Sequence, residues 1–555
     1  MKKTYRSLSG LFAISLLGIF LLVSCSQQEK NNDKIVVGIT AGLETINPLY
    51  SFSVNEANID ELLFLSLIKH KWDWEKGDIE SEPMLAKSWE WNNDSSAITL
   101  NLRDDVEWSD GVKFTTDDVV YSFDLYSDPV VQSYMYGGFE NFYTDKNNHV
   151  LIDKTFEIFP PNKIVIKFKP GSTPTLFNID FPIIPKHVFE KIDRKSIPNS
   201  DINFNPVTNG PFKLKRWEKN QYIILEKNPK SFLTTSKMIG ELVFKVVPEY
   251  TSRINQLKTG ELDLTEFIKT DDLDDLKKIE SLNLENVKGR EYDYIGWSNI
   301  DRNTFNTNNK IKPNFLFGSS KVRIALTHAV NRNEILKSYL KNNGSLCIGP
   351  VSSIFKNAVN PAIQPYKYDP TLAKKMLEEE GWKDSDHDGI LDKDNKKFEF
   401  ILTIPSGNPR RSYAATIIKK NLSDIGININ IESIELGAFI NRLSNREMDA
   451  WMAGWIIPLP IDLNMSWYSD LKTTPFNFTG YQNRNVDKII DELKITRDEN
   501  MKNLLLREVQ EILHNDEPAT FLYWVDNIVA YNNRIKGIDI NPLGVIQHCW
   551  NWTKN

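Results

Sequence analysis

The chain has little cysteine and lacks the common catalytic motifs. Only three of its 555 residues are cysteine, and its seven histidines are scattered along the sequence. It contains no His-Glu-x-x-His pair, no Gly-x-Ser-x-Gly elbow, no Walker loop and no Cys-x-x-Cys. Because the signatures of zinc peptidases, serine hydrolases, nucleotide-hydrolysing enzymes and dithiol oxidoreductases are missing, we expect neither an enzyme nor a bound cofactor.

The chain also lacks an excess of basic residues. Its 67 lysines and arginines stand against 74 aspartates and glutamates, which gives a formal charge of −7. Nucleic-acid binding depends on clustered positive charge, so nucleic acid is excluded as a partner. A length of 555 residues exceeds the roughly 250–300 at which a single hydrophobic core stops growing, so we expect at least two domains.

The longest apolar run lies at the N-terminus. Residues 11–23 carry no ionisable side chain, follow Lys2, Lys3 and Arg6, and lead through Leu-Val-Ser to Cys25. The run is shorter than the ~20 residues of a membrane-spanning helix, and this is where a lipoprotein peptidase cuts. The sequence predicts a lipoprotein signal peptide over 1–24, lipidation of Cys25 and a polar tether over 25–33.

This prediction places the protein outside the cytoplasm, in the periplasm or at the cell surface, held to a bacterial membrane by acyl chains alone. The alternative is an uncleaved membrane anchor with an incidental cysteine. Two cysteines remain after lipidation, Cys347 and Cys549, and their spacing does not tell whether they pair or stay free thiols.

Hydrophobic periodicity predicts an α/β fold. Strand-like runs at 34–39, 98–102, 164–168 and 242–247 alternate with helical segments. Thr115 to Asp118 resembles a capping box, and Asp369-Pro370 begins a helix that Gly381 should end. Residues 398–431 are typical of a strand, helix and strand, which favours parallel pairing.

Several motifs carry a family resemblance. The runs EPMLAKSWE at 82–90, LRDDVEWSDG at 102–111 and FTTDDV at 114–119 closely resemble the signature region of dipeptide- and oligopeptide-type solute-binding proteins of ABC importers, family 5, here in lipoprotein form. Further matching segments follow in order at 184–189, 205–212, 257–264, 321–332, 368–382 and 541–544. The resemblance thus covers nearly all of the chain after the tether.

The resemblance implies a two-lobed periplasmic-binding-protein fold with a ligand cleft between the lobes. The first lobe would comprise 34–66, 205–295 and 521–555, with an extra subdomain inserted at 67–204, and the second lobe 296–520. The chain would cross between the lobes near 294–297 and 520–523. We expect a monomer that captures a short peptide or a peptide-sized organic solute by hinge closure and delivers it to ABC permease subunits.

Two alternatives stay open at this point. The same fold is compatible with a lipoprotein that senses peptides or holds extended polypeptide as a chaperone does, and a hydrolase exported from the cell is the least favoured. Neighbouring permease and ATPase genes would distinguish an importer subunit from both alternatives.

Ligand contacts are expected where loops and strand ends enter the cleft. The resemblance points to a loop after the first strand, to a hinge tryptophan, to a basic pair before a helix, and to a Gly-Trp pair whose aromatic ring can stack on a ligand. The candidate ligand-binding residues are Thr45, Ile46, Asn47, Trp297, Arg410, Gly454 and Trp455.

One departure from the family bears on the ligand. Peptide-binding members carry an aspartate three residues after the tryptophan of the Gly-Trp pair, where it pairs with the ligand ammonium, and this chain has Pro458 there. Asp462 is the nearest acid downstream and either replaces that aspartate or caps the following helix. The requirement for a free amine stays open, and the sequence favours binding that does not depend on it.

An acidic loop resembles part of a calcium-binding loop. Asp384, Asp386 and Asp388 occupy places 1, 3 and 5 of an EF-hand pattern and Gly389 occupies place 6, but place 12 is Asn395 where a bidentate glutamate belongs. We therefore favour an acidic turn, with structural calcium as the alternative and no other metal.

Overall fold

The computed structural model describes residues 33–555. The predictions for the signal peptide at 1–24 and for Cys25 lie outside these residues. Within 33–555 no helix is both long and apolar enough to cross a membrane.

Residues 33–555 contain twenty-one strands. In chain order they are β1 Lys34–Ile39, β2 Ile68–Asp73, β3 Asp78–Pro83, β4 Ala86–Trp91, β5 Ala97–Leu102, β6 Phe156–Phe159, β7 Lys163–Lys167, β8 Phe212–Glu218, β9 Tyr222–Lys227, β10 Glu241–Val246, β11 Leu264–Thr265, β12 Leu282–Trp297, β13 Gly344–Leu346, β14 Asp392–Lys393, β15 Lys396–Lys397, β16 Glu399–Pro405, β17 Asn428–Ile434, β18 Ala450–Ile456, β19 Ala519–Asn532, β20 Ile535–Lys536 and β21 Thr553–Lys554.

Helices alternate with these strands, as the α/β prediction requires. They span Val54–Leu63, Thr116–Tyr126, Ile152–Thr155, Lys186–Phe189, Tyr250–Thr259, Leu273–Leu276, Arg302–Asn308, Ser320–Ala329, Arg332–Ser338, Pro370–Glu379, Pro409–Ser423, Leu436–Ser444, Asn464–Trp467, Arg484–Ile495 and Glu499–Asp516. Short 3₁₀ turns, such as Pro48–Tyr50, join several of them.

The local signals in the sequence match these elements closely. The capping box is formed, because Thr115 and Asp118 each bond the backbone of the other at the start of the helix Thr116–Tyr126. The side chain of Asp369 accepts a hydrogen bond from the amide of Leu372 and so caps the helix Pro370–Glu379. Gly381 follows that helix with φ +91°, a conformation that glycine adopts without strain.

One mixed sheet of eleven strands runs through the molecule in the order β17-β16-β18-β12-β19-β11-β1-β10-β9-β8, with β13 paired to β19. β16 and β17 pair in parallel with each other, and the helix Pro409–Ser423 connects them in the chain, which confirms the predicted strand, helix and strand. β1 pairs in parallel with β10 at the other end of the sheet. The two ends therefore carry separate parallel units.

The long strands β12 and β19 connect the two ends. Residues 282–287 of β12 pair with 527–532 of β19, next to the β11 and β1 side of the sheet. Residues 291–296 of β12 pair with 519–525 of β19, and residues 291–297 pair with β18 on the other side. The register shifts between Val287 and Glu291, so the pairing of the two long strands is interrupted between the two ends.

A separate antiparallel sheet lies within the predicted insertion. Its four strands follow the order β4-β5-β7-β6, and β2 with β3 forms a hairpin beside it. Phe123 is fully buried and packs edge to face on Phe142 and Phe181 at centroid distances of 5.3 and 4.8 Å. These aromatic side chains belong to the same hydrophobic core as β1 and β10, so the segment predicted as an insertion packs against those strands.

The two cysteines of the body are free thiols. Cys347 and Cys549 are both fully buried, in different hydrophobic clusters. Burial raises the pKa of both thiols because a thiolate is poorly solvated there. The structure thus supports the unpaired alternative for these cysteines.

Candidate functional site

The Gly-Trp pair lies on β18 where this strand meets β12. Gly454 stands opposite Asp293 and Trp455 opposite Tyr292 in the antiparallel register. A side chain at position 454 would collide with its neighbours, since an ideal Cβ there would lie 2.2 Å from Arg411 Nη2 and 2.9 Å from Asp293 Oδ1. Glycine at this position therefore makes room for a buried ion cluster beneath the tryptophan.

That ion cluster contains both members of the basic pair. Asp293 is fully buried and accepts hydrogen bonds from Arg410 Nε at 2.7 Å and from Arg411 Nε at 3.0 Å. Arg410 Nη2 also donates to Glu291 at 2.5 Å. The two arginines thus neutralise protein carboxylates through both Nε groups and through Nη2 of Arg410. Ligand binding by Arg410 stays a prediction.

The pKa of Arg410 shows how strongly the cluster holds its charge. Burial alone would lower the pKa of this guanidinium, but the charge of Asp293, its hydrogen bonds and the charge of Glu291 outweigh burial and raise it above its ordinary value. A buried acid with two arginine partners is rigid and costly to break, so this cluster supports the strands around the Gly-Trp pair.

Trp455 lines a small aromatic pocket. Its ring centroid lies 5.2 Å from that of Phe476, and Tyr292 and Tyr294 form the floor on β12. Next to it, Ile456 is 60% exposed and Phe476 is 40% exposed, which leaves apolar surface available on this face. This arrangement fits the stacking role that the sequence predicts for Trp455.

Asp462 makes a local contact with the backbone. Its side chain is exposed, and its Oδ1 accepts a hydrogen bond of 2.7 Å from the backbone amide of Asn464. Asn464 begins the helix Asn464–Trp467, whose N-cap position is Leu463 and not Asp462. The acid is thus engaged locally in this structure, and both alternatives for it stay predictions. Pro458 is exposed in the loop before it.

Trp297 is a core residue and does not face a cleft. It is fully buried, stacks on Phe317 at a centroid distance of 5.0 Å, and donates from Nε1 to Thr520 Oγ1 at 3.0 Å. The indole is fully enclosed and exposes no surface to a ligand in this structure, and ligand contact at Trp297 stays a prediction.

The loop after β1 is also more buried than predicted. Thr45, Ile46 and Asn47 are 9, 0 and 1% exposed, and Asn47 Nδ2 donates to Asn203 Oδ1 at 2.6 Å. Asn47 also caps the turn Pro48–Tyr50. These three residues hold the loop in place and offer a ligand almost no surface.

The exposed part of this loop follows a few residues later. Phe52 and Val54 are each 76% exposed, on either side of Ser53, which caps the helix Val54–Leu63. Sequence reasoning missed both residues. The sequence did contain a signal for their exposure, namely the capping box formed by Ser53 and Glu56. A capping box marks the start of a helix, so Phe52 and Val54 flank that start and lie outside the apolar stripe of the helix.

A polar pocket was also missed. It lies between the helix Val54–Leu63, strand β2, the loop at 180–182 and the C-terminal segment, and we call it the Asp60 pocket after its most buried acid. Its polar lining comprises Ser51, Asp60, Glu61, Ser66, Lys69, His70, Tyr134, Asp180 and Gln547. The sequence signal for this pocket was an acid within the apolar stripe of a helix. Asp60 lies directly after buried Ile59 and two positions before buried Leu62, where an apolar side chain is usual.

The acidic loop keeps the geometry that suggested calcium. One carboxylate oxygen from each of Asp384, Asp386 and Asp388 lies within 4.8 Å of the others. Lys397 Nζ lies 3.4 Å from Asp386 Oδ2 and also pairs with Asp388, so a protein cation already balances part of this charge. The acidic turn stays the favoured prediction for this loop, with structural calcium as its alternative.

The described residues form two parallel sheet units joined by the paired long strands β12 and β19, with an aromatic pocket beside Trp455 and a polar pocket around Asp60. Comparison with known proteins then identifies the family. The model of the bacterial extracellular solute-binding proteins, family 5 Middle, matches residues 80–477. The chain belongs to this family of solute-binding proteins of ABC importers, and it is not an enzyme.

Individual relatives agree with this assignment. The oligopeptide-binding protein AppA of Bacillus subtilis is 27% identical over 571 aligned positions, which cover 100% of this chain and 99% of AppA. The structure of that AppA in complex with a nonapeptide matches with a TM-score of 0.72 and 26% identity over 94% of this chain and 99% of its own. NikZ of Campylobacter jejuni in complex with Ni(L-His) matches with a TM-score of 0.73 and 25% identity, covering 94% of this chain and 100% of NikZ.

Proposed function

We propose that this protein is a lipid-anchored binding protein that captures a short peptide, or an organic solute of peptide size, and delivers it to an ABC importer. The observation that carries the proposal is family membership over residues 80–477. Its relative AppA is described with a nonapeptide and NikZ with a nickel–histidine complex, so both ligand classes are kept.

The proposed capture step is hinge closure. In this proposal β12 and β19 cross together between the lobes, and the hinge includes the register shift between Val287 and Glu291. A second register shift, between Asp293 and Tyr294, adjoins the crossings expected near 294–297 and 520–523. Gly289 lies inside the first of these shifts, where an ideal Cβ would be 2.2 Å from the carbonyl oxygen of Val525. A break in pairing lets two strands bend, so small changes there can move one lobe against the other.

Contacts between the insertion and the second lobe support a closed form. Lys356 Nζ in the second lobe donates to the carbonyl oxygens of Trp74 at 2.7 Å and Glu75 at 3.1 Å. Arg497 donates to the carbonyl oxygen of Asp94, again from the second lobe to the insertion. These polar contacts are exposed and few, as expected for an interface that opens and closes.

The proposed anchor is the lipid on Cys25, with 26–33 as a polar tether to the first lobe. Acyl chains would keep the protein close to a membrane permease without a spanning helix. The proposed partners are therefore the solute, the permease subunits and, through lipid alone, the membrane, and the proposed working state is a monomer.

The test begins with native mass spectrometry of the purified protein to identify what co-purifies with it. The identified solute should raise the melting temperature and reduce the radius of gyration in solution scattering, because it binds the closed form preferentially. An unchanged scattering curve at saturating solute would contradict hinge closure.

A pair of variants tests the aromatic pocket. Trp455→Ala should weaken solute binding roughly tenfold, since a stacked aromatic contributes up to about 1.5 kcal/mol beyond its buried area. Phe159→Ala removes another exposed aromatic side chain, on β6 of the four-stranded sheet, and should leave the affinity unchanged. Equal affinities for both variants would remove Trp455 from the site.

A further inference from the structure

The Asp60 pocket contains a buried carboxylate oxygen that no protein group satisfies. Asp60 is 2% exposed, and its Oδ2 accepts a hydrogen bond from the Ser51 hydroxyl. Its Oδ1 is buried and has no hydrogen-bond partner among residues 33–555. Because a buried polar atom without a partner is costly, a donor from outside the protein would stabilise this arrangement.

The charges around this oxygen favour a positively charged donor. Glu61, Asp60 and Asp180 supply three acids, whereas Lys69 is the only lysine or arginine among the described residues that line the pocket. Lys69 Nζ is already committed to Glu61 at 2.6 Å. His70 adds no positive charge near neutral pH, since burial, with the charge of Lys69, lowers its pKa to about 4.

Burial also shifts the pKa values of the two deeper acids. Burial raises the pKa of Asp60 well above its ordinary value and raises that of Asp180 to about 7. Asp180 Oδ2 lies 3.4 Å from His70 Nε2, which forms no hydrogen bond among residues 33–555. A cation placed between these groups would favour their charged forms and bind to them.

The walls of the pocket favour an organic cation over a bare metal ion. Phe64, Leu65, Met84, Phe181 and Trp550 line it together with the acids. Apolar walls bind alkyl groups, and an ammonium group supplies up to three donors that a free carboxylate oxygen can accept. An alkylammonium group has both properties.

Resting on the proposed function, we propose that the Asp60 pocket receives the ammonium group of the captured solute. The pocket would then supply, from the first lobe, the acid that this chain lacks at Pro458 in the second lobe. Asp60 is the primary acceptor through Oδ1, and Asp180 lies on the same pocket. The ligands of this pocket are then peptides or other solutes that carry an amine.

The experiment uses pools of random pentapeptides as the probe. One pool has free N-termini, a second is N-acetylated and contains no lysine, and a third is N-acetylated and contains lysine. Each pool is mixed with the purified full-length protein, unbound peptide is removed, and retained peptide is quantified by mass spectrometry. Loss of a charge-assisted hydrogen bond should reduce retention of the second pool by roughly ten- to a hundredfold relative to the first.

Variants assign the preference to the pocket. Asp60→Asn keeps the size of the side chain and should abolish the preference for free over acetylated peptides, with Asp180→Asn as a second, weaker test. Asp462→Asn removes the exposed acid nearest to Pro458 and should keep the preference. Melting temperatures of the three variants show whether each is folded.

The outcomes separate the inference from the function on which it rests. Equal retention of free and acetylated pools by the wild type overturns the inference and leaves peptide binding intact. Loss of the preference in Asp462→Asn, or its persistence in folded Asp60→Asn, also overturns it. Retention of the third pool shows that the pocket also accepts the ammonium group of a lysine side chain. If no pool is retained, both the peptide ligand and the inference are rejected.

Discussion

Gly454→Ala tests whether the ion cluster under the Gly-Trp pair supports the site. The added Cβ would lie 2.2 Å from Arg411 Nη2, which is too close for any real contact, so the arginine must move. Moving it breaks the 3.0 Å hydrogen bond from Arg411 Nε to buried Asp293. A hydrogen bond to a charged group contributes about 1.5–3 kcal/mol, and we expect a loss of that size in the free energy of unfolding.

Urea unfolding measures this loss as a lower midpoint with an unchanged slope. Gly349→Ala is the matched control, because among residues 33–555 no atom lies within 4 Å of the ideal Cβ there. The variant should therefore unfold like the wild type.

A double-mutant cycle with Arg411→Ala gives the sharpest check. With the guanidinium gone, the methyl group added at position 454 has only the 2.9 Å approach to Asp293 Oδ1 left, so Gly454→Ala should cost much less in this background than it does in the wild type. Strict additivity of the two losses would refute the reasoning, as would a Gly454→Ala protein as stable as the wild type.

Three further outcomes are expected. Burial raises the pKa of Glu517 to about 8, so between about pH 4.5 and pH 8 the folded protein keeps a proton there that the unfolded chain has released. The stability that this proton contributes is lost as the pH rises through that window, so Glu517→Gln should gain stability relative to the wild type in urea unfolding from about pH 5 to about pH 8 and show no further gain above it. A relative stability that does not change with pH would contradict this. Asp462→Asn should change solute affinity less than twofold by calorimetry, since the side chain accepts a local hydrogen bond from the amide of Asn464, whereas a loss that is not additive with acetylation of the ligand would restore Asp462 as the amine anchor. Cys25→Ala should release the protein from the membrane fraction, and its persistence there with the signal uncleaved would indicate a true membrane anchor.

The α/β class and many elements could be predicted because their signals are local. The strand at 34–39, the capping box at 115–118 and the helix start at Asp369-Pro370 all depend on residues within a few positions of one another. The helix between β16 and β17 begins at Pro409, earlier than the apolar pattern alone suggested, because Asn408 caps it with its side chain.

The site was predicted less well, for a physical reason. Residue type and family position do not report burial, so Asn47 and Trp297 were expected at a cleft although both are enclosed by packing partners far away in the sequence. Arg410 was expected to bind a ligand carboxylate, and in the structure its Nε donates to Asp293, which lies 117 positions away in the chain.

By itself, then, the sequence determined the class of fold, the family and the absence of an enzymatic motif, since each is written in short segments or in their order. Only the tertiary structure decided which polar groups find partners. Asp293 is satisfied by two arginines, whereas Asp60 keeps a buried oxygen without a partner among residues 33–555. Both acids are buried, and the difference arises because desolvation is a local cost while the compensating charge comes from segments that only folding brings together.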